Sequence, residues 1–387
     1  MMESREFLFR CPTTWLHGLR VTQNIGKKAK EFGVKKALIV TDKGVEKCGH
    51  LNRVLDSLKQ VHIEFDIFDE VQPEPTSTSI DSNIKAIQGK NFDIIIAIGG
   101  GSTIDVAKGF RILCGCGGSI RDYGGINKIP KSLPLPLIAV PTTAGTGSEV
   151  SPGAVFTDEE KQSKFAVVDW KNAPTLAMTD PLLTITMPPS LTSRTGIDAL
   201  THAVESFVSI DAQPVTEPLS LEAIKLIGKN LEKAVNNGKD LKARENMQIA
   251  CTMAMVGAGN SLLGLAHAIG MPLAANFNIP HGIAVGVMLP YVMKFNLAAR
   301  PQKFQRIAEA LNQKTDSLSD LEAGEKAVIA IKQLTKRVDI PQSLKELGVD
   351  KGSFVKLAKS TLLSIQAKKN PRKVTEKAVV EVLQGAY

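Results

Sequence analysis

The sequence predicts an α/β protein in two parts, with a parallel sheet in residues 1–185 and only helices in residues 186–387. In the first part, short apolar segments of strand type alternate with helical segments. Strands that are apolar on both faces are typical of a parallel sheet covered by helices on both sides. In the second part, which begins after Pro188 and Pro189, apolar residues recur at the 3.6-residue spacing of helices.

Each element is predicted from its own pattern of apolar residues. In the first part, the predicted strands are residues 37–41, 62–68, 92–98, 135–140, 165–168 and 175–178, and the predicted helices are residues 21–32, 80–87 and 103–111. In the second part, we expect helices at residues 191–208, 218–236, 242–275, 283–299, 301–311 and 323–338, and two more near the carboxyl end. No internal repeat is visible.

Composition is that of an ordinary globular protein of two domains. Of the 387 residues, 43% are hydrophobic and 22% charged, which excludes disordered, collagen-like and disulfide-scaffold classes. No apolar run reaches the roughly 18 residues of a membrane span. The net charge of +8 comes largely from the last 37 residues, which hold eight Lys or Arg against two Glu. These cations alternate with aliphatic residues at helical spacing, so we expect a solvated helix face and no nucleic-acid partner.

The amino terminus and the cysteines predict a cytoplasmic protein. Residues 1–18 are charged and lack the apolar segment of a signal peptide. The five cysteines are odd in number and scattered, and only Cys114 and Cys116 are close in sequence. One intervening residue with no second pair is a poor metal signature, so reduced structural thiols are expected.

A glycine-rich turn follows the predicted strand at residues 92–98. Gly99, Gly100, Gly101 and Ser102 lead directly into a predicted helix. A helix start offers unpaired N–H groups to an anion, and glycines let the backbone approach it closely. A plain tight turn is the alternative, but it needs only one glycine. The pattern favours a pyrophosphate site, although it is not the usual GxGxxG sequence.

Two further features follow other predicted strands of the first part. Asp42 ends one strand, where its carboxylate is suited either to bind a ribose hydroxyl and repel a 2′-phosphate or to cap a helix, and the sequence leaves both roles open. Residues 141–149 form a loop rich in hydroxyl groups and small side chains. Such a loop is suited to donate hydrogen bonds to a phosphate or an amide, but surface loops of this composition are common.

The second part contains a candidate metal site. Asp198 and His202 are four residues apart, so a helix places both on one face. His267 and His281 lie in strongly apolar segments, where an unpartnered imidazole is costly. Three histidines and one aspartate suit Fe²⁺ or Zn²⁺. Hydrogen-bonded core histidines and a simple ion pair remain the alternatives.

Four segments resemble the iron-containing, group III alcohol dehydrogenases, in the same order and over nearly the whole chain. They are GGGSTIDVAK at residues 99–108, PTTAGTGSEV at 141–150, TGIDALTHAVES at 195–206, and LAHAIG with NIPHG at 265–270 and 278–282. The resemblance implies the dehydroquinate synthase-like fold of that family. It implies a dinucleotide-binding domain at residues 1–185 and a helical metal- and substrate-binding domain at residues 186–387.

The resemblance also implies individual roles. The metal ligands, which act in catalysis through the metal, would be Asp198, His202, His267 and His281. The residues that match cofactor-binding positions are Asp42, Gly99, Gly100, Gly101, Ser102, Asp105, Thr142, Thr143, Thr146 and Lys164. Lys108 completes the glycine-rich motif. Asp42 occupies the position linked to preference for NAD over NADP.

The chain departs from the family at two positions near the expected substrate. Many members carry a further histidine four residues after the third metal ligand, where this chain has Met271. Ala258 stands nine residues before His267, where relatives often have a bulky aromatic residue. Both changes predict a larger and more apolar pocket without a side-chain proton shuttle at that point.

The expected function is therefore hydride transfer between a primary alcohol or aldehyde and NAD(H), with a metal polarising the substrate oxygen. NADP is the alternative cofactor, and Zn²⁺ is the alternative to Fe²⁺. A polyol dehydrogenase, or another dehydroquinate synthase-like enzyme, is the alternative function. We expect a homodimer or larger homo-oligomer that binds neither nucleic acid nor membrane.

Overall fold

The computed structural model describes residues 6–161 and 163–387, which form two compact units. One unit is Cys11–Met187, and the other combines Pro188–Tyr387 with the described residues 6–10. A dinucleotide-binding role for residues 1–185 and a metal- and substrate-binding role for residues 186–387 stay predictions.

The unit Cys11–Met187 is an α/β structure with two sheets. Its described strands are β1 (Thr14–His17), β2 (Lys36–Val40), β3 (Glu64–Phe68), β4 (Ile94–Gly99), β5 (Gly125–Ile126), β6 (Leu137–Pro141), β7 (Gly153–Asp158), β8 (Ser163–Val168) and β9 (Leu176–Thr179). The main sheet has the order β1-β9-β6-β4-β2-β3, and every neighbouring pair is parallel. The small sheet has the order β5-β8-β7.

Helices cover both faces of the main sheet, as the apolar strands predict. They are α1 (Ile25–Lys30), α2 (Lys43–Lys47), α3 (His50–Gln60), α4 (Ser77–Asn83) and α5 (Gly101–Cys116). Alternate residues of β4 point to opposite faces because a strand has a two-residue period. Ile95 belongs to the core cluster that contains Phe110 of α5, whereas Ile96 belongs to the cluster that contains Val54 of α3. The predicted parallel sheet with two apolar faces is confirmed.

Every regular element in the described residues of the second unit is a helix. Its helices are α6 (Pro189–Val208), α7 (Thr216–Asn236), α8 (Leu241–Ser261), α9 (Leu265–Phe277), α10 (His281–Asn296), α11 (Pro301–Ala310), α12 (Asp320–Arg337), α13 (Phe354–Leu362), α14 (Ile365–Lys369) and α15 (Glu376–Gly385). Short 3₁₀ turns extend several of them. The helical character predicted for this part of the chain is therefore confirmed.

The single helix predicted for residues 242–275 is wrong, because α8 and α9 are separate helices bent by 102°. Leu262, directly after α8, has a φ of 57°, which no helical residue adopts. The helical spacing of apolar residues continues across the break, because both helices bury apolar residues. This spacing therefore does not predict where the chain changes direction. Three helices, rather than the predicted two, lie near the carboxyl end.

One segment of the described chain, His281–Ala299, is long and apolar enough to span a membrane by composition. In this structure 67% of the residues in its apolar window are buried inside the protein, as in the core helix of a folded domain. The bent pair α8 and α9 meets the same criterion only when counted as one segment.

A buried lysine joins α5 to the loop that follows β6. Lys108 is fully buried, and its Nζ donates hydrogen bonds to the carbonyl oxygens of Ser148 at 2.8 Å, Ser151 at 2.9 Å and Gly153 at 2.7 Å. Burial lowers the pKa of Lys108 to about 8. These bonds fix residues 148–153 against the helix that begins in the glycine-rich turn.

Lys108→Met is expected to destabilise the protein by about 3 kcal/mol or more. The variant keeps the apolar stem but leaves three carbonyl oxygens without their donor, and each buried unpaired group costs about 1–3 kcal/mol. Chemical denaturation measures the free energy of unfolding. Lys35→Met, at an exposed position, is the control. Equal stability of the two variants would contradict this structural role.

Candidate active-site residues

The glycine-rich turn (residues 99–102) and the threonine-rich loop (residues 141–149) lie side by side at the carboxyl edge of the main sheet. Gly99 of β4 pairs with Pro141 of β6, and its carbonyl oxygen accepts a hydrogen bond of 2.9 Å from the amide of Thr142. Helix α5 begins at Gly101, and no side chain of its cap residue Gly100 occupies the first amides. The structure therefore brings Gly99, Gly100, Gly101 and Ser102 together with the 141–146 segment.

The packing between these two loops restricts side chains on the turn. A Cβ on Gly101 would lie 2.8 Å from Cγ2 of Thr146, which is closer than real contacts allow. A Cβ on Gly100 would lie 3.6 Å from Cγ2 of Thr143, an ordinary contact. Gly101 is thus required by packing alone, whereas packing does not require Gly100. A partly exposed helix start with a close backbone approach suits a phosphate group.

Asp42 caps a helix in this structure. Its Oδ1 accepts hydrogen bonds from the amides of Gly44 at 2.9 Å and Val45 at 3.0 Å, at the start of α2. Its Oδ2 accepts a bond of 3.1 Å from the hydroxyl of Thr103 in α5. The capping role left open by the sequence is therefore present. The ribose-binding role stays a prediction.

Asp105 and Lys164 have partners within the protein. Asp105 accepts hydrogen bonds from the Ser148 hydroxyl at 2.7 Å and the Val155 amide at 2.9 Å, and burial raises its pKa. Lys164 lies in β8 of the small sheet, where its Nζ donates to Glu74 at 2.8 Å. Asp105 thus holds the same loop as Lys108. Contact of either residue with a cofactor stays a prediction.

Three imidazoles surround one carboxylate in the helical unit. The Nε2 atoms of His202, His267 and His281 lie 3.8, 3.6 and 3.6 Å from the same oxygen, Oδ1 of Asp198. The rings of His202 and His267 are stacked, with centroids 4.7 Å apart. Ligand atoms of Asp198, His267 and His281 all lie within 4.8 Å of one another. The structure therefore brings all four predicted metal ligands together.

Three helices position these side chains. Asp198 and His202 lie on one face of α6, His267 is near the start of α9, and His281 is the first residue of α10. The start of α10 lies very close to the α6 backbone: a Cβ on Gly282 would be 2.1 Å from the carbonyl oxygen of Arg194. Glycine next to His281 therefore permits the approach that brings this imidazole to Asp198.

The cluster has the properties of a metal site. Asp198, His202 and His267 are each at most 5% exposed. Within the described residues, neither Oδ1 of Asp198 nor Nε2 of His267 has a hydrogen-bond partner, an arrangement that is costly in a protein interior. A cation among these atoms would remove that cost. Three imidazole nitrogens and one carboxylate oxygen fit a divalent first-row metal.

Burial and neighbouring charges shift the pKa values of Asp198, His202 and His267. Burial acts against the protonated form of His267, but the carboxylates of Asp198 and Glu205 outweigh burial and raise its pKa. Burial lowers the pKa of His202, and the neighbouring imidazoles lower it further. Burial alone would raise the pKa of Asp198, but the three imidazoles hold it well below its usual range. The site is thus built to hold positive charge.

The sequence did not single out Glu205, although it lies inside the quoted TGIDALTHAVES segment. Its Oε2 is 2.6 Å from Nδ1 of His267, and its Oε1 accepts a hydrogen bond of 2.5 Å from the amide of Ala266. It is 2% exposed. One sequence feature could have indicated its importance. Glu205 is an acidic residue one turn after His202, in a helix that is otherwise buried and uncharged at that end.

The two predicted substrate-pocket residues lie on helices that are consecutive in the chain. Ala258 is buried in α8, and Met271 is partly buried in α9, one turn after His267 and on the same side of the helix. Their contact with a substrate stays a prediction.

Comparisons with known proteins identify the family. Residues 12–181 match the family described as iron-containing alcohol dehydrogenase, and residues 192–387 match its carboxyl-terminal domain. The chain belongs to the iron-containing alcohol dehydrogenase family. This confirms the resemblance seen in the sequence, and with it the class of enzyme, an oxidoreductase acting on CH–OH donors.

Similar proteins align with this chain from end to end. A 1,3-propanediol dehydrogenase from Citrobacter freundii is 40% identical over 388 residues, covering 100% of both chains. An NAD-dependent methanol dehydrogenase from Bacillus methanolicus is 37% identical, covering 98% of this chain and 99% of its own. The crystal structure of a 1,3-propanediol oxidoreductase has a TM-score of 0.96 at 40% identity, covering 99% of this chain and 100% of that one. The predicted fold is confirmed.

Alanine variants of two adjacent glycines separate a phosphate site from a plain turn. Gly100→Ala has room for its methyl group and an ordinary extended backbone, so we expect unchanged stability of the free protein. If a pyrophosphate lies on this turn, the same methyl group raises the Kd for NADH by about tenfold, a loss of about 1.4 kcal/mol. Gly101→Ala instead displaces Thr146 and lowers stability by about 1–3 kcal/mol. Thermal melting and NADH fluorescence titration measure both effects, and an unchanged Kd in Gly100→Ala would favour the plain turn.

Asp42→Asn tests the ribose-binding role without removing the helix cap. Asparagine caps helices as well as aspartate does, so the melting temperature should stay close to that of the wild type. Loss of the negative charge should raise the preference for NADPH relative to NADH by about tenfold, because repulsion of a 2′-phosphate is relieved. The ratio of kcat/KM for the two cofactors is the measurement.

Asp42→Gly loses both the charge and the capping side chain, and is expected to shift the cofactor ratio while also lowering stability. A ratio that neither variant changes would leave Asp42 with the capping role alone.

Proposed function

We propose that this protein is a metal-dependent, NAD(H)-linked alcohol dehydrogenase or aldehyde reductase whose metal is held by Asp198, His202, His267 and His281. The convergence of three imidazole nitrogens on one oxygen of Asp198 carries the proposal. One carboxylate oxygen cannot pair well with three imidazoles at once, whereas one cation can accept a lone pair from each of them. Fe²⁺ is the metal that the family description favours, and Zn²⁺ suits the same donor set.

A divalent metal held by these four residues would supply Lewis acidity to the substrate oxygen. The chain's own residues prepare for this by burying the ligands and fixing their orientation. Asp198 contributes the negative charge that offsets part of the charge of the ion. Asp198 and the three histidines are therefore the residues through which we expect catalysis, acting by way of the metal.

The cofactor is proposed to bind at the carboxyl edge of the parallel sheet. Gly99, Gly100, Gly101 and Ser102 would face the pyrophosphate at the start of α5. Thr142, Thr143 and Thr146, which lie against that turn, would contact the cofactor from the neighbouring loop. Asp42, Asp105 and Lys164 are proposed to contribute as the family resemblance implies. NAD is the proposed cofactor, with NADP as the alternative.

Two observations favour different substrates. The small Ala258 and the apolar Met271 favour medium-chain aldehydes and alcohols. A relative that is 40% identical over the full length is a 1,3-propanediol dehydrogenase, which favours a short diol, the polyol alternative. A panel of medium-chain aldehydes, 1,3-propanediol and short monohydric alcohols, compared by kcat/KM, distinguishes the two.

We also propose that the protein acts in the cytoplasm as a homodimer or larger homo-oligomer. All five cysteines are free thiols, as a reducing compartment would keep them. Light scattering on the purified protein and fractionation of the source cells are the tests.

His267→Ala is expected to abolish turnover without weakening the binding of NADH. The wild-type protein, loaded anaerobically with Fe²⁺, should reduce aldehydes with NADH and hold about one metal ion per chain by elemental analysis. The variant removes one ligand from a buried set, so it should hold less metal. His62→Asn, at an exposed histidine with a φ of 56°, is the control, because asparagine tolerates that backbone conformation. Normal activity in His267→Ala would show that the metal assignment is wrong.

A further inference from the structure

We propose that Glu205 is a positioning residue that fixes the tautomer and the orientation of His267 for metal binding. The inference rests on the proposed function, because it concerns the same metal site. Glu205 is not one of the four proposed metal ligands. The inference therefore assigns a role to a further residue of the site.

The first step is the hydrogen bond between Glu205 and His267. Oε2 of Glu205 lies 2.6 Å from Nδ1 of His267, and both side chains are at most 5% exposed. A carboxylate can only accept a hydrogen bond, so Nδ1 must carry the proton. In a neutral imidazole, Nε2 then has a free lone pair. Nε2 is the atom that faces Asp198 at 3.6 Å. The bond therefore presents the nitrogen that a metal needs.

The second step is the fixed position of the Glu205 carboxylate. Its Oε1 accepts a hydrogen bond of 2.5 Å from the amide of Ala266, in the first turn of α9. A Cβ on Gly264 would lie 3.0 Å from this oxygen, so the glycine before α9 leaves space for the carboxylate. A negative charge is favoured at a helix start. The carboxylate is thus held by the helix that carries the imidazole it orients.

The two bonds together explain why a carboxylate is needed rather than an amide. Glutamine has one accepting oxygen and one donating NH₂ group. If its oxygen accepts from the Ala266 amide, its NH₂ group faces Nδ1 and favours the tautomer with the proton on Nε2. If the glutamine side-chain amide is rotated by 180°, its NH₂ group faces the N–H of Ala266, and two donors then face each other. Only a carboxylate accepts from both groups.

Glu205→Gln is therefore expected to weaken metal binding by about 10- to 100-fold, the usual effect of losing the partner of a metal-bound histidine. The Kd for Zn²⁺ is measured by competition with a chelator, and the visible spectrum of the Co²⁺-loaded protein reports the geometry of the ligands. The variant has nearly the same shape as the wild type, and its affinity for NADH should be unchanged.

Asp240→Asn is the matched control, because Asp240 also accepts a hydrogen bond from the start of a helix, the Ala243 amide of α8 at 3.0 Å, without contacting a histidine. It should bind Zn²⁺ as the wild type does. Equal affinity of Glu205→Gln and wild type would overturn the inference while leaving the proposed function intact. A wild-type protein that takes up no metal would overturn both.

A second measurement needs no variant of Glu205 and applies even if that variant fails to fold. The wild-type protein, labelled with ¹⁵N in its six histidines and loaded with Zn²⁺, reports each imidazole tautomer by NMR. Metal-free wild type and metal-free His267→Ala differ by one imidazole, so their comparison identifies the signal of His267, which is then followed as Zn²⁺ is added. We expect its proton on Nδ1 and the metal on Nε2, and metal on Nδ1 would overturn the inference.

Discussion

Asp198 presents one oxygen to three imidazole nitrogens in the interior of the helical unit, and the surrounding structure depends on this concentration of charge. A buried carboxylate is stable only beside compensating positive charge or donors. The helices meet that requirement from three directions. Helix α6 contributes the carboxylate and one imidazole, while α9 and α10 each contribute one more at or near their first residue. Helix starts and a sharp bend, rather than one long helix face, make the convergence geometrically feasible.

The bend between α8 and α9 has a specific part in this arrangement. A continuous helix through residues 242–275 would carry His267 along the direction of α8. The break at Leu262 redirects the chain by 102°, and Glu205 and Asn370 accept hydrogen bonds from the new helix start. The amides exposed by the break are thus satisfied by side chains already present in the core. The break at Leu262 thus exposes amides at the start of α9, and the Glu205 carboxylate beside the proposed metal site accepts one of their hydrogen bonds.

The sequence predicts the fold class, the family and the class of reaction correctly, because these depend on periodicity and on motifs that are local in the chain. Segments such as residues 92–98 are short, β-branched and apolar on both faces, a pattern typical of the centre of a parallel sheet. The bend at Leu262 was not predictable from periodicity, since apolar residues continue along the sequence on both sides of it. Asp42 shows a different limit: the residue type suits a helix cap and a ribose contact equally, and only coordinates reveal the cap. Glu205 was overlooked because its importance lies in contacts with residues about sixty positions away, which no spacing rule describes.

The proposed cofactor residues all lie in Cys11–Met187, and the proposed metal ligands all lie in Pro188–Tyr387. Each set is supported by partners from its own unit: Lys108 and Asp105 steady the threonine-rich loop, and Glu205 accompanies His267. Mutations that change the preference between NAD and NADP therefore need not alter the proposed metal ligands. Mutations that change which metal ion binds need not alter the proposed cofactor residues. Such a division lets natural selection adjust the electron carrier and the Lewis acid as separate traits, one substitution at a time.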